Sequence, residues 1–116
     1  MYTVVGHLRS RTFRLVWALE ELGQPYELQS ATPQSTEIRA VNPFGKIPAL
    51  IDEDTTLTDS VAILTYLSDK HGALTHPAGT LDRARQDAVT FAILDELDAP
   101  VWSYAKHSFA MPEKRR

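Results

Sequence analysis

The sequence predicts an α/β sandwich followed by the start of a helical region, and three observations carry that prediction. Strand-like β-branched and aromatic runs alternate with amphipathic helical stretches over residues 2–72. A stretch with two glycines and a proline follows at 72–80, and from Leu81 onward the helical period dominates. The chain of 116 residues suits one ordinary core and is too short for two full-sized domains.

The elements justify themselves in order. Residues 2–6, YTVVG, read as a short buried strand that stops at a glycine. After Ser10, Leu15, Leu19 and Leu22 recur at helical spacing with Val16 and Trp17 beside them, while Arg11, Arg14, Glu20 and Glu21 hold the other face. Gly23 suits a left-handed C-cap, and Pro25 cannot continue the helix. Tyr26–Ser30 alternates apolar and polar residues as a second strand. Ser35 is a candidate cap for a short helix through Val41, ended by Asn42 and Pro43. Residues 47–51 and 56–58 flank the acidic turn 52–54 and read as an antiparallel hairpin, with Pro48 at the start of its first strand. Asp59 and Ser60 are placed to cap a helix through His71, with Ile63, Leu64 and Leu67 inward and Gly72 closing it. The order is β-α-β-α-β-β-α. Beyond it, Leu81, Ala84, Ala88, Phe91, Ala92 and Leu94 mark a long helix expected to kink at Pro100 and run towards His107.

Composition narrows the function. Hydrophobic residues at 43% and charged residues at 23% lie near globular averages, which disfavours a disordered, collagen-like or coiled-coil chain. Lys and Arg total 12 against 15 Asp and Glu, so the basic excess that phosphate backbones require is missing and nucleic acid is not an expected partner. No apolar run approaches the ~20 residues that span a bilayer, and charge interrupts the N-terminal segment before a signal-like core forms; no membrane partner and a cytoplasmic location are expected. The absence of cysteine removes disulfides, thiolate metal sites and a cysteine nucleophile, so any thiol chemistry must use the thiol of a ligand. His7, His71, His76 and His107 are scattered without metal-ligand spacing, and no metal is expected.

Three segments together resemble the cytosolic glutathione transferase family. SRTFR at 10–14 precedes VWALEELG at 16–23 much as in its serine-type classes; NPFGKIPAL at 42–50 is similar to the loop around its cis-proline; LTDSVAILTYL at 57–67 is similar to the start of its glutathione-recognising helix. The resemblance implies a thioredoxin-like domain over 1–74, a linker at 75–80, and at 81–116 the beginning of a helical C-terminal domain. The charged stop PEKRR lies near where the family's next helix would begin, so the expectation is a piece of a longer protein.

The resemblance also implies site residues, each with an ordinary alternative. An Xaa-Pro bond is cis only ~5 to 6% of the time, yet the family pattern implies a cis bond between Ile47 and Pro48, with Ile47 offering its backbone to the cysteinyl part of glutathione as an added strand would. Asp59 and Ser60 are good caps in any protein; here they and the helix start would hold the γ-glutamyl end, although Asp59 is shorter than the Glu or Gln of many relatives. Lys46, otherwise a solvated lysine, would meet the glycyl carboxylate. Ser10 would be the catalytic donor to the thiol, with Arg11 and Thr12 as alternatives; Tyr2 lies too early for the tyrosine-type classes.

The energetics of that role are reasonable. A free thiol with pKa near 8.5 is only a few per cent thiolate at about pH 7. Lowering it by about two units takes roughly 2.7 kcal/mol, which a charged hydrogen bond of ~1.5 to 3 kcal/mol and a helix N-terminus of ~0.3 to 1 kcal/mol together supply. The expected function is a glutathione transferase adding glutathione thiolate to a small hydrophobic electrophile, with Leu8, Trp102, Tyr104 and Phe109 as candidate apolar contacts. The alternative is a non-catalytic glutathione-transferase-like binding or assembly module. A homodimer is expected, because the family pairs and the stripe Leu81, Ala84, Ala88 and Phe91 needs a cover.

Overall fold

A computed structural model describes residues 1–115, in two units, the first Met1–Thr75 and the second beginning at His76. In the first unit, strand β1 (Tyr2–Gly6) occupies the interior of a four-stranded sheet, and all its residues except Thr3 are buried. Its parallel neighbour is β2 (Tyr26–Ser30), paired Tyr2 to Tyr26 through Gly6 to Ser30. Helix α1 (Thr12–Glu21) is the crossover that a parallel pair requires. On the other side β1 pairs antiparallel with β3 (Ala49–Asp52), Val5 opposite Ala49, and β3 pairs antiparallel with β4 (Thr55–Thr58), Ala49 opposite Thr58. The strand order is β2-β1-β3-β4, and with its helices this is the thioredoxin-like arrangement.

Alternation along the strands sorts two cores. Tyr2, Val4 and Leu50 turn to one face and pack with Leu15 and Leu19 of α1 and with Ile63 and Leu67 of α3 (Ser60–His71). Val5 and Ala49 turn to the other face and pack with Ala31 and Ile38 of α2 (Thr36–Arg39). Burying each large aliphatic side chain contributes roughly 1.5–3 kcal/mol, so the two faces fix the register: a slip of one residue would exchange them.

The helix ends follow local chemistry. Gly23 takes φ +65 after α1, with the Gln24 N–H bonded back to the Leu19 carbonyl at 3.0 Å. Gly72 takes φ +65 after α3, and the Ala73 N–H reaches the Ser68 carbonyl at 3.2 Å. Helix α2 stops at Arg39, two residues before the expected Val41, because Val41 and Asn42 both fold back on the Ile38 carbonyl in a closing turn. Strand β3 begins at Ala49 and β4 at Thr55, so the hairpin loop shrinks to Glu53 and Asp54, with Glu53 at φ +56.

In the second unit α4 spans Leu81–Ile93, capped by Thr80, whose hydroxyl accepts from the Arg83 N–H at 3.2 Å. The residues expected as a linker are tied to this helix: Arg83 Nη1 donates to the His76 carbonyl at 3.1 Å, and the His76 N–H donates to Gln86 Oε1 at 2.9 Å. Instead of one α-helix kinked at Pro100, the winding widens to π-type turns over Leu94–Asp98, resumes as α5 (Ala99–Ala105), and widens again over Lys106–Ala110. Pro100 has no N–H to close a bond with residue 96, and a wider turn just before it accommodates that loss. Of the expected terminal segment, Arg116 lies outside the described residues. Among the described residues no helix is long and apolar enough to cross a membrane, and no group of three or more His, Asp or Glu side chains is placed to hold a metal.

Candidate functional site

Strand direction alone brings three of the predicted segments to one end of the sheet. The loop carrying Ser10 leaves the C-terminal end of β1; β3 runs antiparallel to β1, so Ile47 and Pro48 precede it at that same end; β4 runs antiparallel to β3, so Asp59 and Ser60 leave it there too. Segments 49 residues apart in sequence, from Ser10 to Asp59, are neighbours by topology.

Ser10 lies in the turn just before α1, one residue ahead of the N-cap position, which Arg11 holds. Its hydroxyl is 2.6 Å from the His7 carbonyl and 2.8 Å from Thr12 Oγ1, and it accepts from the Thr12 N–H at 3.2 Å. Thr12, one of the two alternatives for the thiol contact, has no exposed surface and presents nothing for a dissolved thiol to touch.

The Ile47–Pro48 peptide is cis, Pro48 is buried and Ile47 half-buried. The ladder of β3 starts at Ala49, leaving Ile47 beyond it. The preceding loop is strapped from several directions. Asn42 donates through Nδ2 to the Lys46 carbonyl at 3.0 Å and accepts from the Phe44 N–H at 3.1 Å. Gln34 donates its N–H to the Gly45 carbonyl at 2.8 Å and its Nε2 to the Phe44 carbonyl at 3.1 Å, and Arg39 bonds both Gln34 Oε1 and the Pro43 carbonyl. Lys46 itself is exposed. Asn42 is legible as a helix stop and as the first residue of the 42–50 segment, whereas the strap from Gln34, which takes φ +67 at a non-glycine residue, carries no sequence signal.

Asp59 takes the capping role: at φ +73 it precedes α3, and its Oδ2 accepts from the Ala62 N–H at 2.9 Å. Ser60, first residue of α3, is buried, and its Oγ accepts from Arg14 Nη1 at 3.2 Å. Arg14 was read from the sequence as part of the polar face of α1; its reach to α3 is a tertiary feature.

The far end of the sheet carries different chemistry. An open hollow of about 300 Å³ there is lined by Asp52, Glu53, Thr55, Leu57, Tyr66 and Lys70. Two of its charged groups are already paired: Lys70 Nζ lies 2.8 Å from Asp52 Oδ2, which Tyr66 also bonds. Lys70 first and Tyr66 second hold the Asp52 carboxyl below the ordinary carboxylate range, while Asp52 foremost, then Tyr2 and Tyr66, push the Lys70 ammonium up. Tyr2 belongs to this end, sharing a hydrogen bond of 2.7 Å with His71 Nε2, far along β1 from Ser10.

With this geometry in view, residues 10–77 match the family model for the glutathione S-transferase N-terminal domain, more than half of the chain. The chain belongs to the glutathione S-transferase family. Glutathione S-transferase 3 of Schizosaccharomyces pombe is 39% identical over 83 residues, covering 65% of this chain and 33% of its own length. The crystal structure of a glutathione S-transferase from Pseudomonas fluorescens superposes with a TM-score of 0.76 at 32% identity, over 99% of this chain and 61% of that one. A glutathione transferase homologue from Drosophila mojavensis, solved with bound glutathione, superposes with a TM-score of 0.81 at 25% identity, over 98% of this chain and 58% of that one. The chain thus spans about a third of the length of the curated transferases it matches and just over half of the solved ones. The matched residues 10–77 include every predicted site position: Ser10, Lys46, Ile47, Pro48, Asp59 and Ser60.

Proposed function

We propose that this chain is the glutathione-binding and thiol-activating part of a glutathione transferase that joins glutathione thiolate to small hydrophobic electrophiles. The observation that carries the reading is the meeting of the Ser10 turn, the Ile47–Pro48 segment and the start of α3 at one end of the sheet. An extended tripeptide fits such an arrangement. Its cysteinyl backbone pairs with Ile47 beside the end of β3 as an added strand, its γ-glutamyl carboxylate meets Ser60 and the first N–H groups of α3, and its glycyl carboxylate faces Lys46. Asp59, with Oδ2 engaged at Ala62, has one carboxylate oxygen outside the cap to face the γ-glutamyl amine.

Ser10 then acts as donor. Its proton turns from the His7 carbonyl to the ligand sulfur, while the Thr12 N–H, and the Thr12 hydroxyl acting as donor, hold its oxygen. The thiol proton leaves to solvent, the thiolate forms the carbon–sulfur bond, and the displaced electron pair departs with the leaving group or onto the electrophile. No metal enters this scheme. The pairing of two copies belongs to the same reading, supported by the exposure of Leu81, Ala84, Ala88 and Phe91 along α4.

The test is Ser10→Ala. Losing a hydrogen bond to a charged sulfur at ~1.5 to 3 kcal/mol lowers kcat about 10- to 150-fold and moves the pH–rate profile up towards the ordinary thiol value near 8.5, with glutathione affinity nearly unchanged. Full turnover in the variant, or no conjugation by the unaltered chain while glutathione binds, would remove the catalytic reading and favour a binding module.

A further inference from the structure

We propose that Arg14 is a positioning residue for the γ-glutamyl end of glutathione, acting through the Ser60 hydroxyl; this rests on the glutathione-binding reading above. A serine hydroxyl has one proton to give and two lone pairs to fill, whereas a guanidinium only donates and stays charged at any ordinary pH. The contact from Arg14 Nη1 to Ser60 Oγ at 3.2 Å therefore occupies a lone pair and leaves the serine proton to be donated elsewhere. Ser60 is buried, so little water competes for that proton.

The direction in which the proton is useful follows from the start of α3. Asp59 Oδ2 takes the Ala62 N–H, and the Asp59 carbonyl takes the Ile63 N–H. The N–H groups of Ser60 and Val61 have no intrahelical partner, being the first two of the helix. A carboxylate placed against them accepts the Ser60 hydroxyl as a third donor, and the positive charge of Arg14 lies 3.2 Å from that hydroxyl oxygen. Arg14 also sits one helical turn beyond Ser10, so a single side chain ties the helix that follows the thiol-contacting turn to the helix that holds the opposite end of the ligand. Removing it releases the orientation of Ser60.

The experiment is a double-mutant cycle read by calorimetry with two ligands, glutathione and cysteinylglycine, which lacks the γ-glutamyl group. Arg14→Gln should weaken glutathione about tenfold and leave cysteinylglycine within twofold; Ser60→Ala should do the same, and the double variant should lose no more than Ser60→Ala alone. Arg14→Lys, which keeps a charged donor, should recover part of the loss, and the pH–rate profile of each Arg14 variant should stay where the unaltered chain has it. Additive losses, equal weakening of both ligands, or a profile moved towards the free-thiol value would overturn the proposal, because Arg14 would then act on the fold or on the sulfur. Equal affinity of the unaltered chain for the two ligands would overturn it together with the γ-glutamyl site itself. A variant that weakens glutathione but melts with the unaltered chain separates this role from general destabilisation.

Discussion

Gly6 is where the sheet and the Ser10 turn are fitted most closely, and Gly6→Ala tests that fit. The residue sits at φ +155, and a Cβ built there would lie 2.1 Å from Thr12 Oγ1 and 3.0 Å from Thr12 Cγ2. Thr12 must therefore retreat by about 1 Å, yet it is fully buried at the first position of α1. Overpacking of this kind costs ~1–3 kcal/mol, and an alanine held in backbone that favours glycine costs ~1–3 kcal/mol more. The sum, about 2–6 kcal/mol, corresponds to a fall in Tm of at least ~8 °C at ~4 °C or more per kcal/mol. Thermal melts followed by circular dichroism, with urea titrations beside them, read this directly. Thr12→Ala removes the two nearest atoms, so the double variant Gly6→Ala, Thr12→Ala should be more stable than the sum of the single losses predicts by about 1–3 kcal/mol, leaving the backbone part in place. On the thiol-contacting role proposed for Ser10, the 2.8 Å between Thr12 Oγ1 and Ser10 Oγ means that the single variant should also lose conjugation activity beyond its unfolded fraction. Additive losses, or a Gly6→Ala melt within ~2 °C of the unaltered chain, would show that the steric account is wrong.

Two further outcomes concern the far end of the sheet and the second unit. The folded-state pKa of Asp52 is depressed, so its pairing with Lys70 and Tyr66 stabilises the fold above the ordinary value of 3.8 and is lost as pH falls through the lower folded value. The raised pKa of Lys70 keeps its share fully present below its ordinary 10.5, so Asp52→Asn should be less stable than the unaltered chain near neutrality, with the gap closing in acid; urea midpoints with an unchanging gap would contradict the pairing. Sedimentation at micromolar concentration should give twice the 13.0 kDa of the chain, and a soluble monomer would end the homodimer reading.

Much of the fold was legible because its determinants are local. Leu15 and Leu19 at helical spacing, glycines at 23 and 72 where left-handed residues close helices, and the strand patterns each act over a few residues, and they lie where their patterns placed them, the hairpin strands shifted by one or two residues. The candidate site was legible in a different way, through three short motifs whose likeness to a known family supplied the link that no local rule gives. Local rules also stop short of some details. The proline at position 100 signalled an interruption, but whether the chain would kink or widen into π-type turns depends on backbone bonds several residues earlier. Within the segment 75–80 that composition marks as a linker, His76 is bonded to Arg83 and Gln86 of α4, contacts that composition does not reveal.

By itself the sequence determined the element order, most of the caps, the absence of a cysteine nucleophile and the candidate residues at the proposed glutathione site. Tertiary structure alone decided which of those residues meet: the antiparallel run of β3 and β4 returns the chain twice to the end of β1, and Arg14 reaches Ser60 across 46 positions of sequence. Caps and periods arise from bonds between residues within about one helical turn or one strand step, so they are written in short windows. Contacts such as Arg14 to Ser60 exist only after α1 and α3 have packed their leucines and isoleucine against the same face of the sheet, and nothing within either window carries that information.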